Sequence, residues 1–143
     1  MSTRDDTSST DEQDAAGTAR DRPFLQVGEV ADRVRLSHRT VRYYDDQGLL
    51  SAVRSAGNYR LYSEADVARL LLIRRMKPLG FTLEEMRDLL DVVDTIDGAE
   101  VTPPDTDATL RAMIDDVRQR RDRLAEQLTT ADEFLESLRR RLA

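Results

Sequence analysis

Arg39, Arg42 and Tyr43 stand at spacings of three and one in the stretch RTVRYYDDQGLL, residues 39–50. On a helix, such spacings put these side chains and Asp46 on one face. Val41 and Tyr44, three apart, then share the opposite, inward face with the region around Leu49 and Leu50. A guanidinium can bridge O6 and N7 of guanine or hold a phosphate, and a phenol can bond a phosphate oxygen. Double-stranded DNA is a partner that rewards both. The alternative is a solvated face whose arginines pair with Asp45 and Asp46. A second segment repeats the chemistry: Arg54, Tyr59, Arg60 and Tyr62 flank a Ser-Ala-Gly-Asn turn. His38 is the only histidine and reads as solvated, without a metal.

The elements that must position these groups are short. Val27, Val30, Ala31 and Val34 recur at helical spacing, so VGEVADRV is an amphipathic helix. Arg35–Leu36 is a turn, Ser37 an N-cap, and a second helix runs to about Gln47 with Gly48 as its stop. Two helices joined by a tight turn form a helix-turn-helix candidate. Residues 51–62 follow as a hairpin, with Gly57 and Asn58 suited to positive φ. A further helix opens at Ser63–Asp66 and ends at Pro78–Gly80. Thr82 begins another, with the Thr-x-x-Glu spacing of a capping box. Residues 94–107, which hold Gly98 and Pro103-Pro104, read as a linker.

From Ala108 onward the pattern changes. Leu110, Ile114, Val117, Arg121, Leu124, Leu128, Ala131, Leu135, Leu138 and Leu142 step by four and three without a break. This is a coiled-coil heptad. In a parallel pair Arg121 would face its own copy in a desolvated seam, which is costly. In an antiparallel pair whose facing residue numbers sum to 252, leucine, isoleucine and valine face one another. Arg121 then lies over Ala131 and can carry its guanidinium to water, toward Asp132. The expectation is an antiparallel homodimer centred near Glu126. The alternative is a long helix folded back on its own domain.

Composition sets the remaining bounds. The chain has 143 residues, 35% charged and 5% aromatic, with no tryptophan. Absence of cysteine removes disulfides, thiolate metal sites and a cysteine nucleophile. With one histidine and no clustered buried carboxylates there is no catalytic set, so no enzyme, metal or cofactor is expected. No apolar run reaches membrane-spanning length and the start lacks a signal-peptide pattern, so a cytoplasmic protein is expected. The net charge of −6 is unevenly spread: residues 24–79 hold 10 basic and 6 acidic side chains, whereas residues 80–107 hold 1 and 9. A local basic field matters more for phosphate docking than the total. The acidic stretch reads as a solvated face rather than a cation site. Residues 1–23 read as a disordered acidic and polar tail.

The runs VGEVADRVRLSHRTVRYYDDQGLL, GNYRLYSEADVARL and GFTLEEMRDLL together resemble the MerR family of bacterial transcription regulators. The likeness covers about residues 25–93 and extends to the terminal helix. It implies a mainly α fold: a winged helix-turn-helix over 24–93, a linker over 94–107, and an antiparallel coiled-coil dimerisation helix over 108–143. By that resemblance Arg39, Arg42 and one or both of Tyr43 and Tyr44, with Thr40 between them, meet the major groove and its phosphates. Tyr59, Arg60 and Tyr62, and less directly Arg54, form the wing that grips the flanking duplex. Asn58 stands where many relatives have glycine. The resemblance further implies a homodimer on a dyad promoter site, distortion of an over-long spacer, and RNA polymerase at the same promoter. An excisionase-like or architectural DNA-binding module is the alternative. The trigger is left open among a small pocket near residues 81–107, a protein partner and no effector.

Overall fold

The computed structural model describes residues 24–101 and 103–143, so the expected tail over 1–23 lies outside the described residues. The elements run β1 (Leu25–Gln26), α1 (Val27–Val34), α2 (His38–Asp46), β2 (Val53–Arg54), β3 (Arg60–Tyr62), α3 (Glu64–Met76), a 3-10 turn (Lys77–Leu79), α4 (Leu83–Gly98) and α5 (Pro104–Arg139). The described residues divide into two compact units, the first ending at Ala68 and the second starting at Arg69.

In the first unit, α1 presents Val30, Ala31 and Val34 to the core, and α2 presents Val41 and Tyr44. The turn between them depends on Arg35, which takes the left-handed conformation at φ 56° and donates its N–H to the Ala31 carbonyl. Ser37 then caps α2: its hydroxyl accepts the Thr40 amide at 3.0 Å. Gly48, at φ 78°, stops the helix.

The sheet is antiparallel with strand order β1-β3-β2. Strand β1 pairs Leu25 with Tyr62 and has only two residues, too few for a period-two pattern, so the sequence gives no sign of it. At the hairpin tip the Asn58 amide donates to the Ser55 carbonyl at 2.9 Å, and Asn58 itself has φ 63°. A turn followed by one left-handed residue is a common three-residue hairpin loop. Asparagine takes this left-handed conformation at modest cost. Gly57, expected to share that conformation, is not among the positive-φ residues. Its missing side chain makes room instead, since a Cβ there would sit 3.0 Å from the Tyr59 ring.

Asp66 is fully buried and ties this unit together. One of its oxygens accepts the Ser51 amide at 2.9 Å and the Ser51 hydroxyl at 3.1 Å, and the other accepts the Ser63 amide at 3.0 Å. The Ser63 hydroxyl accepts the Asp66 amide in return. This is a capping box with a carboxylate at its third position, extended to a loop twelve residues upstream. Burying a charge is tolerable when its lone pairs are filled in this way.

In the second unit, Gly80 (φ 79°) closes the 3-10 turn, and Thr82 with Glu85 forms the expected capping box of α4. Helix α4 continues to Gly98 and α5 already starts at Pro104. Both helices therefore reach into the 94–107 expected as a linker. Pro104 sits in the first turn of α5, where its missing N–H costs nothing, so the proline pair opens a helix as well as breaking one. At the other end α5 stops at Arg139, and Leu142 follows it in a hydrogen-bonded turn, outside the heptad's helix.

Candidate nucleic-acid interface

Helix α2 faces two ways. Val41 and Tyr44 are buried, whereas Arg39, Arg42 and Tyr43 are exposed and Thr40 is half-buried. Thr40 serves the cap, since its hydroxyl lies 2.8 Å from that of Ser37. Tyr43 is 46% exposed and meets the edge of Tyr44, with ring centroids 5.3 Å apart. Tyr44 cannot offer a ring to a ligand: it is 5% exposed, and burial followed by the neighbouring Tyr43 pushes its phenol up from the ordinary range. Of the two adjacent tyrosines, only Tyr43 is open.

The wing divides in the same manner. Tyr59 is 72% exposed at the hairpin tip. Arg54 is exposed beside it and donates to the Asn58 carbonyl at 3.2 Å. Tyr62 is fully buried on β3, and burial raises its phenol first of all, so it is a core residue and not the expected DNA contact. Strand alternation decides this, since Arg60 and Tyr62 share one face of β3 and Tyr62 pairs with the buried Leu25.

Arg60 is turned inward as well. Its guanidinium reaches Asp46 at 2.6 Å, Asp45 at 3.3 Å and the Arg42 carbonyl at 3.2 Å, with only 19% of the side chain exposed. Burial raises the Asp45 carboxyl, and this outweighs the pull of Arg60 in the opposite direction. The two aspartates that the alternative reading paired with Arg39 and Arg42 are thus used by Arg60. Among the described residues Arg39 and Arg42 have no ion pair. His38 stands in the first turn of α2 next to Gly28.

These residues surround an open cleft of about 280 Å³ between α2 and the hairpin, lined by Gln26, Arg42, Arg54, Asn58, Tyr59 and Arg60. Three guanidinium groups at one concave surface, bordered by an exposed phenol, suit a phosphate backbone.

The seam residues of α5 present the opposite chemistry. Ile114, Leu124, Leu128, Leu135 and Leu138 are each at least 41% exposed, and Leu142 is 80% exposed. Leu110 and Val117 are half-buried, and Ala131 and Arg121 are exposed. Arg121 pairs with its neighbour Asp122 at 3.0 Å. Among the described residues no helix is long and apolar enough to cross a membrane.

Two features were not anticipated from the sequence. Arg120 joins α5 to the start of α4: it meets Asp116 at 2.9 Å and Glu85 in an ion pair, and its guanidinium carbon stands 4.0 Å over the Phe81 ring. The i, i+4 spacing to Asp116 was legible, but the Phe81 and Glu85 partners needed the fold. Phe134, one residue outside the heptad, is 63% exposed.

Comparison with known proteins accords with this arrangement. Residues 25–92 match the family described as MerR HTH family regulatory protein, and residues 67–143 match MerR, DNA binding. The chain is 36% identical over 91 residues to the HTH-type transcriptional regulator HmrR of Rhizobium leguminosarum bv. viciae, covering 64% of this chain and 70% of that one. It is 46% identical over 71 residues to the mercuric resistance operon regulatory protein of Bacillus cereus, covering 49% of this chain and 54% of that one. The fold is shared with HiNmlR, a MerR family regulator lacking the sensor domain, solved bound to promoter DNA. That likeness has 19% identity and a TM-score of 0.59 over 80% of this chain and 87% of the other. The chain belongs to the MerR family of helix-turn-helix regulatory proteins, which are DNA-binding transcription regulators. It spans about half the length of the Bacillus cereus relative.

Proposed function

We propose that the chain acts as a homodimer on a dyad promoter site, with α2 of each copy in the major groove and the hairpin tip on the flanking backbone. Arg39, Arg42 and Tyr43 supply the groove and phosphate contacts, and Arg54 and Tyr59 extend them. Arg60 positions the wing against α2. The observation that carries this reading is the pair of exposed arginines whose local carboxylates are already taken. Paired helices α5 fix the distance between the two winged modules and therefore the half-site spacing. Binding energy spent on bending or untwisting the duplex, about 1–6 kcal/mol for moderate bends, is the means by which such a dimer would realign a promoter spacer for RNA polymerase. The role is regulatory, in the cytoplasm, without a catalytic step. This chain has no cysteine and so no thiolate to offer a soft metal. No mercuric role is carried over from the name of its Bacillus cereus relative.

The test is footprinting on the DNA next to the gene, joined to transcription in vitro. A protected inverted repeat inside a promoter spacer, with binding that weakens steeply as salt rises, is the expected result. Binding insensitive to salt, or protection without dyad symmetry, would overturn it.

A further inference from the structure

His38 is the only histidine in the chain, and neither the core nor the contacts assigned to the winged face use it. It opens α2 and is exposed. Among the described residues its imidazole has no hydrogen bond or ion pair. Its place is nonetheless defined. A Cβ on Gly28 would lie 3.6 Å from the imidazole Cε1 and 3.8 Å from Nε2, so the ring rests beside the first turn of α1 within van der Waals reach. Val27, the neighbour of Gly28, and Arg42, one turn along α2 from His38, both line the cleft between α2 and the hairpin. The ring thus stands just beyond that end of the cleft, between the opening turns of the two helices.

In a helix-turn-helix the opening residues of the second helix meet the duplex while the first helix crosses its backbone. A side chain held between those two turns stands where a phosphate passes. Imidazole is the side chain that gains or loses its charge between about pH 5 and 8, and its cation donates from both ring nitrogens. A phosphate oxygen favours that cation over the neutral ring. We propose that His38 holds a backbone phosphate as an imidazolium, so that operator binding takes up one proton per copy. This rests on the winged face and homodimer of the proposed function. Within four residues of Gly28 and of His38 the charged residues are Glu29 and Asp32 on α1, Arg35 in the turn, and Arg39 and Arg42 on α2. Their formal charges leave a single positive excess, so protonation of the ring doubles the local charge offered to the duplex.

The test is affinity for the duplex that footprinting protects, measured at pH 6 and pH 8 at fixed ionic strength. The parent should bind about 10-fold more tightly at pH 6. Its slope of log affinity against log salt should steepen there by about two units, one per copy. His38→Gln should match the parent at pH 8 and lose most of this pH dependence. His38→Arg should bind at pH 8 as the parent does at pH 6. A second measurement needs no variant: in untagged protein the ring signals of the sole histidine should keep their protonated form to higher pH with the duplex than without it. The same pH profile for parent and His38→Gln, with ring signals that ignore the duplex, would overturn the inference and leave the proposed function standing. A pH dependence lost in His38→Gln while the parent's salt slope stays constant would also overturn it, by moving the ring from a phosphate to a base. A parent that binds no duplex at either pH would overturn the proposed function and the inference with it.

Discussion

The winged face and the long arm are both exposed, and they lack opposite things. On α2 and the hairpin the uncovered groups are cations, Arg39 and Arg42, left without counter-ions because Arg60 has taken the nearby carboxylates. On α5 they are Ile114, Leu124, Leu128, Leu135 and Phe134, left without an apolar cover. A solvated surface needs no help with the first group and a monomer gains nothing from the second. Exposure alone is uninformative; what each surface withholds from its own chain indicates the chemistry of its partner.

The contrast can be broken from either side, and the arm should give the larger effect. Leu128→Lys places a charge in the layer that the proposed dimer sets opposite Leu124 and should weaken dimerisation by about 100-fold or more. Sedimentation should then show monomer at micromolar protein, with operator binding lost and the thermal unfolding of the first unit kept. A dimer of undiminished strength would remove the arm from the interface.

Asp66→Ala asks whether the face survives loss of its support. It strands the part-buried amides of Ser51 and Ser63 and should cost about 2–4 kcal/mol by urea unfolding. Arg33→Ala, which breaks an exposed pair with Glu64 at 2.6 Å, should leave the same curve unchanged within error.

Arg42→Ala acts on the cationic side only. Operator affinity should fall about 10-fold, with the slope of log affinity against log salt flattened by about one unit if the side chain holds a phosphate. An unchanged slope with relaxed sequence preference would assign it to a base instead. The dimer constant should not move.

The smallest effect is one of pH. Hydrogen bonds from the Thr82 amide and hydroxyl, and then Arg120, hold the Glu85 carboxyl below its ordinary range. A carboxylate depressed in the folded state stabilises above its unfolded pKa and loses that contribution as pH falls through the folded one. Glu85→Gln should therefore lower the melting temperature slightly at pH 7 and flatten its decline between about pH 5 and 3. A variant as steep as the parent across that window would locate the acid limb elsewhere.

Much of this was legible in the chain. The periods of Val27–Val34 and Leu110–Leu138, the caps at Ser37 and Thr82, and the Ser-Ala-Gly-Asn turn are local signals, and local signals survive translation into structure. What was not legible depends on distant neighbours. Tyr43 and Tyr44 are chemically alike, and only the position of the core separates contact from packing. Tyr62 and Arg60 read as wing contacts until the pairing of β3 with an unforeseen β1, and the proximity of α2, turn both inward. Asp66 sits at a visible cap position, but nothing local ties it to Ser51.

The Arg60 clamp separates recognition from construction. In the proposed binding mode Arg39, Arg42 and Tyr43 meet the duplex, and of the three side chains only Tyr43 also touches the core, at the edge of Tyr44, so a lineage can exchange them at little cost to the scaffold and acquire a new operator. Arg60 has no such liberty: replacing it would loosen the hairpin and also unmask Asp45 and Asp46 on the helix proposed to approach phosphates. Drift in target preference is therefore expected at the three outward positions, and stasis at the arginine behind them.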